Sequence, residues 1–184
     1  LTIKKLLAEE ERPDIPIIAK VENIQGVENF DAILEVADGI MIARGDLGVE
    51  INVGQVPKIQ KIIIRKCYLA FKPVVTATQM LESMINNPRP TRAEVSDVAN
   101  AIYDSTSLVM LSGETSIGKY PIEVVKQMKS IIKQTEEDFD YYDFFQNASK
   151  GKYHDISTSV AIAAVKTAYS ANAKAIFVYT SSGF

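Results

Sequence analysis

Three short stretches pair a cation or hydroxyl with a carboxylate two residues on: Lys20 with Glu22, Arg44 with Asp46, and Ser112 with Glu114. In extended backbone, residues two apart point to the same side, so each pair would present its groups together. Glu22 and Asp46 are hard oxygen donors suited to Mg2+ or Mn2+. Two carboxylates alone would leave coordination positions for substrate oxygens and water. Lys20 and Arg44 beside them would attract an anion. Gly45 and Gly48 let backbone approach a ligand closely. Amides near Asp46 could grip a carboxylate or phosphate if a helix turn starts there. A metal, cations and amide donors around an anionic substrate suit phosphoryl transfer or enolate chemistry, and the residues alone leave both open.

Each of these pairs follows an apolar run rich in β-branched residues, and so does Thr78. The runs, predicted as strands, are Ile15 to Val21, Gly39 to Ala43, Pro73 to Ala77 and Leu108 to Leu111. Between them the periodicity predicts helices over Val27 to Val36, Val53 to Ala70, Thr91 to Tyr103 and Pro121 to Glu137. Strands that are apolar on both faces and alternate with helices indicate a parallel sheet covered by helices, in a barrel or a doubly wound sheet. In either arrangement the C-terminal strand ends carry the active site. A surface salt bridge or solvated loop end accounts for any one pair; three pairs plus Thr78 at one register point to a site. Thr91-Arg92-Ala93-Glu94 is a capping box, and Pro121 stands where the first helical position favours proline.

The repeated unit stops near Asp138. Residues 139–154 are aromatic and polar without a clean period, and read as a linker or irregular connection. A helix is predicted over Ile156 to Ala171 and a strand over Lys174 to Thr180, the opening of a second domain. The chain begins inside an amphipathic helix without an N-cap and stops after a Gly, so it reads as an excerpt of a longer protein. A net charge of −3 with acids and bases interspersed excludes a basic nucleic-acid or membrane-surface face. No apolar run is long enough to span a bilayer. The single cysteine, Cys67, lies in an apolar helical pattern and reads as core, in keeping with a reducing, cytoplasmic setting. His154 reads as a surface residue, and Tyr141, Tyr142, Phe144 and Phe145 as packing between domains.

Ile18-Ala19-Lys20-Val21-Glu22-Asn23, Gly39 to Gly48, Thr76 to Met84, Pro88 to Glu94 and Met110 to Thr115 are five segments whose residues, order and spacing together resemble the pyruvate kinase family. The resemblance implies the second half of a (β/α)8 barrel over residues 1–138, a linker over 139–155 and the start of an α/β C-terminal regulatory domain over 156–184. It implies transfer of a phosphoryl group from phosphoenolpyruvate to ADP, giving pyruvate and ATP. Lys20 would contact the phosphoryl group and the enolate oxygen, and Glu22 and Asp46 would bind Mg2+ or Mn2+. The Gly45 and Asp46 amides with Thr78 would hold the substrate carboxylate, and Arg44 would hold that loop. Thr78 and Ser112 would relay a proton through water, with Glu114 supporting them. K+ is implied for the parent, with its ligands outside this chain, as are a homotetramer with Thr91-Arg92 near an interface and no nucleic-acid or membrane partner.

Three positions depart from the family's pattern or bear on its regulation. Asp104-Ser105-Thr106-Ser107 stands where Asp-Gly-x-Asp is usual, which removes an easy left-handed helix stop. Thr180-Ser181-Ser182-Gly183 resembles the start of a loop for a phosphorylated activator, with Ser181 where Lys is common. With half of a barrel missing, the chain by itself is expected to be a poor catalyst and to associate through open strand edges. Metal-dependent aldolases and lyases of pyruvate enolates also place a Glu and an Asp at successive strand ends; Ala43-Arg44-Gly45-Asp46 beside Lys20 favours the kinase. The remaining alternative is a non-catalytic segment that only packs or associates.

Overall fold

Four parallel strands pair in simple sequential order: β1 (Ile18–Val21), β2 (Gly39–Ala43), β3 (Val74–Ala77) and β4 (Leu108–Met110). The register sets Val21 opposite Ile42, Ile42 opposite Thr76, and Thr76 opposite Val109. A computed structural model describes residues 2–150 and 156–179. They form two compact units, one up to Phe139 and one from Asp140. Sequential order with right-handed crossovers puts the crossover helices of the first unit on one face of the sheet. This is the arrangement of a barrel, whereas a doubly wound sheet reverses its order at a switch point.

The helices of the first unit are α1 (Thr2–Glu9), α2 (Ile24–Glu28), α3 (Phe30–Val36), α4 (Arg44–Glu50), α5 (Val56–Leu69), α6 (Arg92–Tyr103), α7 (Gly113–Ser116) and α8 (Pro121–Glu137). The helix expected over 27–36 is broken at Asn29, whose side-chain amide donates to the Gln25 carbonyl and ends α2. The helix expected from Val53 begins as a short 3-10 turn, and α5 proper starts at Val56. Pro57 explains the boundary, since proline is tolerated only in the first helical turn. The first and third strands begin after Pro16 and Pro73, which have no N–H to donate to a ladder. The capping box forms as expected, with Glu94 reaching back to the Thr91 N–H.

Val21, Ile40, Ile42 and Val74 pack against Phe30, Leu34, Ile63, Ile64 and Cys67. Cys67 is fully buried in this core, and that burial pushes its thiol pKa up to about 11. A second cluster joins Met80, Leu81 and Met84 to Val98 of α6 and Val124, Met128 and Ile131 of α8. Residues alternating with the packed ones face the other side of the sheet; among them Ile18 and Leu108 are each about half exposed.

Helix α6 ends in a Schellman motif. The Ser105 N–H donates to the Ile102 carbonyl and the Thr106 N–H to that of Ala101, with Ser105 at φ 69°. The left-handed stop is therefore made without glycine, and the buried Ser105 hydroxyl oxygen has no hydrogen-bond partner. Ser105→Gly removes both costs and should stabilise the fold by about 1 kcal/mol. An unchanged or lowered denaturation midpoint in urea would contradict this account of the turn.

The second unit contains α9 (Tyr141–Ala148) and α10 (Ile156–Ser170). Helix α9 lies where an irregular connection was expected; Asp140 caps it through the Asp143 N–H, a short-range signal masked by the dense aromatics. Tyr142 meets Tyr169 of α10 edge to face at 4.9 Å between ring centroids and Phe145 stacks on it at 6.3 Å, so these aromatics pack within the unit. The strand expected over Lys174 to Thr180 does not form over residues 174–179, where Phe177 and Tyr179 are exposed. A strand exists only against a neighbour that takes its hydrogen bonds. His154 and the Thr180–Gly183 stretch lie outside the described residues. No helix among the described residues is long and apolar enough to cross a membrane.

Candidate functional site at the C-terminal strand ends

Lys20, Glu22 and Asp46 meet at the ends of β1 and β2. The Lys20 Nζ donates to Asp46 Oδ2 at 3.0 Å and pairs with Glu22 on its other side. All three side chains remain about half exposed, open to a ligand. Hydrogen bonds to Glu22 and then Asp46 hold the Lys20 ammonium above its ordinary pKa. The hydrogen bond from Lys20 in turn holds Asp46 below the usual carboxylate range. Lys20 is thus a firmly protonated cation between two carboxylates.

Arg44 and Asp46 do not share a face. The strand stops at Ala43 and a helix starts at Arg44, so two residues advance about 200° around an axis rather than returning to one side. Asp46 points to Lys20, while Arg44 turns inward and is 8% exposed. Its guanidinium is a fork between elements. Nη2 donates to the carbonyls of Thr78 (2.7 Å) and Gln79 (3.1 Å), and Nε to that of Thr78 (3.2 Å). Nη1 pairs with Asp97 Oδ2 at 2.7 Å and donates to Gln60 Oε1 at 3.3 Å. Arg44 therefore positions the loop and does not itself face the exposed cluster.

Thr78 and Gln79 have φ of 68° and 53°. A β-branched residue in this region is a genuine outlier, of the kind that marks functional turns. The Thr78 hydroxyl donates to the Ala77 carbonyl and accepts from the Gly45 N–H, both at 2.7 Å. The two groups expected to hold a carboxylate jointly, the Gly45 amide and Thr78, are thus bonded to each other. A Cβ on Gly45 would stand 3.3 Å from the Thr78 hydroxyl oxygen, so glycine permits this approach. A Cβ on Gly48, inside α4, would meet nothing nearer than Val56, 3.9 Å away.

Ser112 and Glu114 do not project side by side either. Ser112 is the N-cap of the short α7, and Glu114 folds back, 2% exposed. Its Oε2 accepts from the Ser112 N–H at 2.7 Å and its Oε1 from the Leu81 N–H at 3.2 Å. Glu114 thereby ties the last strand end to the loop that follows Thr78. The structure joins Lys20, Glu22 and Asp46 in one cluster. Arg44, Gly45 and Thr78 form a second, continuous with it through residues 44–46, and Ser112 and Glu114 brace it.

Glu22 and Asp46 fit a divalent ion by donor chemistry: both carboxylates reach one point, occupied by the Lys20 ammonium. Among the described residues no third His, Cys, Asp or Glu joins them. The set suits a hard ion that takes its remaining ligands from substrate and water, as Mg2+ commonly does. Sequence reasoning missed Gln60 and Asp97. Gln60 interrupts the apolar stripe Val56–Ile63–Ile64–Cys67 at a position 5% exposed, a polar residue in a core register that could have flagged it. Asp97 carries no such signal.

A family model described as the barrel domain of pyruvate kinase matches residues 1–125. The pyruvate kinase of Chlamydia trachomatis is 53% identical over 99% of this chain and 38% of its own length. That of Candida albicans is 55% identical over the whole chain and 36% of its own length. That of Geobacillus stearothermophilus is 51% identical over the whole chain and 31% of its own length. The chain spans about a third of the length of these curated relatives.

Proposed function

The chain belongs to the pyruvate kinase family, its four βα units being part of a (β/α)8 barrel, and on that premise we propose that its strand ends form part of a site transferring a phosphoryl group from phosphoenolpyruvate to ADP. The observation that carries this reading is the Lys20 ammonium held between Glu22 and Asp46. In the transfer, an ADP phosphate oxygen bonds to phosphorus and the bond from phosphorus to the enol oxygen breaks. Negative charge then gathers on that oxygen. Lys20 is placed to balance it, and a fixed cation at the point where charge develops is among the strongest catalytic devices. Glu22 and Asp46 would hold a divalent ion, which when bound would supply further positive charge to the substrate oxygens.

The enolate carbon finally takes a proton. Thr78 and Ser112, acting through water, are the hydroxyls we assign to that relay. To donate, the Thr78 hydroxyl must rotate away from the Ala77 carbonyl it now bonds. Arg44 and Glu114 keep the Thr78 loop in place from below. Family membership also supports a K+ requirement met elsewhere in the barrel, a homotetramer and a cytoplasmic setting. It likewise supports reading residues from 139 onward as a linker followed by a C-terminal regulatory domain.

Metal binding tests this reading. Titration of the full-length enzyme with Mn2+, followed by water-proton relaxation, should show a bound ion in the wild type. Glu22→Gln and Asp46→Asn should each weaken it at least tenfold. Unaltered Mn2+ affinity in both variants would remove the metal from these carboxylates.

A further inference from the structure

We propose that Asp97 of α6 and Gln60 of α5 are positioning residues for this site, acting through the Arg44 guanidinium to hold Thr78 and Gln79 in their left-handed conformation. The inference rests on the reading of the site as one for phosphoenolpyruvate.

Two consecutive non-glycine residues with φ of 68° and 53° are disfavoured. Such backbone persists only where its surroundings over-determine it. Here the carbonyls of both residues converge on the guanidinium, Thr78 through two of its nitrogens. A planar fork can hold two carbonyls in fixed directions only if its own orientation is fixed. Nη1, the one remaining nitrogen, is where that orientation is set, by Asp97 at 2.7 Å and Gln60 at 3.3 Å.

The partners divide the work. Arg44 is buried, and a buried guanidinium needs a counter-charge; Asp97 provides it from a side chain 40% exposed. Asp97 thus lies at the solvent end of the network. Gln60 is 5% exposed, and its amide is oriented from the other end: Nε2 reaches Asp104 Oδ2 at 3.5 Å, and Asp104 is itself paired with Lys61. Its Oε1 is therefore left facing Arg44. Helices on the outside of the sheet thereby set the aim of a hydroxyl at its C-terminal edge. Thr78 is bonded to the Gly45 N–H, next to Asp46, and a small rotation of the 78–79 turn would misdirect it.

The test uses steady-state kinetics of the full-length enzyme. Asp97→Asn keeps the shape of the side chain and removes its charge. It should lower kcat about tenfold while KM for ADP stays within twofold, and Asp97→Glu should recover most of the lost kcat. A purely structural role would lower the thermal midpoint and the folded fraction while leaving kcat per folded site unchanged. That result, or an unchanged kcat, would overturn the inference. If Asp97→Asn does not fold, Gln60→Met, which keeps the volume and removes the acceptor, decides in the same way, with an expected threefold loss of kcat. A folded wild type inactive toward phosphoenolpyruvate and ADP would instead overturn the reading of the site, and the inference with it.

Discussion

Lys20→Met should lower kcat for pyruvate formation about a thousandfold in the full-length enzyme. The substitution preserves the length and apolar stem of the side chain and removes only the ammonium. Among the described residues that ammonium is the one cation bonded to both Glu22 and Asp46. Loss of a single well-aimed group that stabilises a developing oxyanion costs about 3 to 4 kcal/mol of barrier, which corresponds to a hundredfold to a thousandfold in rate. The upper figure is expected because a full charge is lost. Two companion effects follow from the same geometry. The fold should be unaffected, since the side chain is about half exposed. Affinity for Mn2+ in the absence of substrate should hold or rise, because the two carboxylates lose the cation that competes for them. A kcat within tenfold of wild type would show that Lys20 does not face the reacting oxygen.

Arg44→Lys should destabilise the fold by about 3 kcal/mol and lower kcat at least tenfold. The charge is conserved but the planar fork is not, and the fork is what the site uses. An ammonium cannot reach the Thr78 and Gln79 carbonyls on one side and Asp97 and Gln60 on the other. Buried carbonyls left unpaired cost about 1 to 3 kcal/mol each, and an imperfectly paired buried charge adds to that. Urea denaturation measures the first effect. A change below about 0.5 kcal/mol would mean the network is dispensable, since that is the range of substitutions that disturb nothing.

How far the sequence discloses this site depends on the range of the signals. The βα alternation and the polar residues after each strand are local, and the capping box at Thr91 and the missing glycine at 105 were readable from a few neighbours. The side on which each side chain falls was not. Reading Arg44 with Asp46, and Ser112 with Glu114, as pairs on one face assumed that the strands run through them. Helices start at Arg44 and Gly113 instead, and the turn sends one member of each pair inward. Only the first pair, Lys20 with Glu22, behaves as extended spacing requires, because β1 continues through Val21. The Arg44 fork spans 53 residues, from its own position to Asp97, and nothing local encodes such a contact. The apolar run at 174–179 shows the opposite error: β-propensity was present, but a strand needs a neighbour.

The central claim is that these strand ends serve phosphoryl transfer from an enol phosphate. A coupled assay of the full-length protein with phosphoenolpyruvate, ADP and Mg2+, with Lys20→Met alongside, addresses it most directly. The account predicts robust pyruvate and ATP formation by the wild type and near-complete loss in the variant. No pyruvate from well-folded wild-type protein would contradict it, and turnover of an aldol substrate instead would move the site to the lyase chemistry that its Glu and Asp also fit.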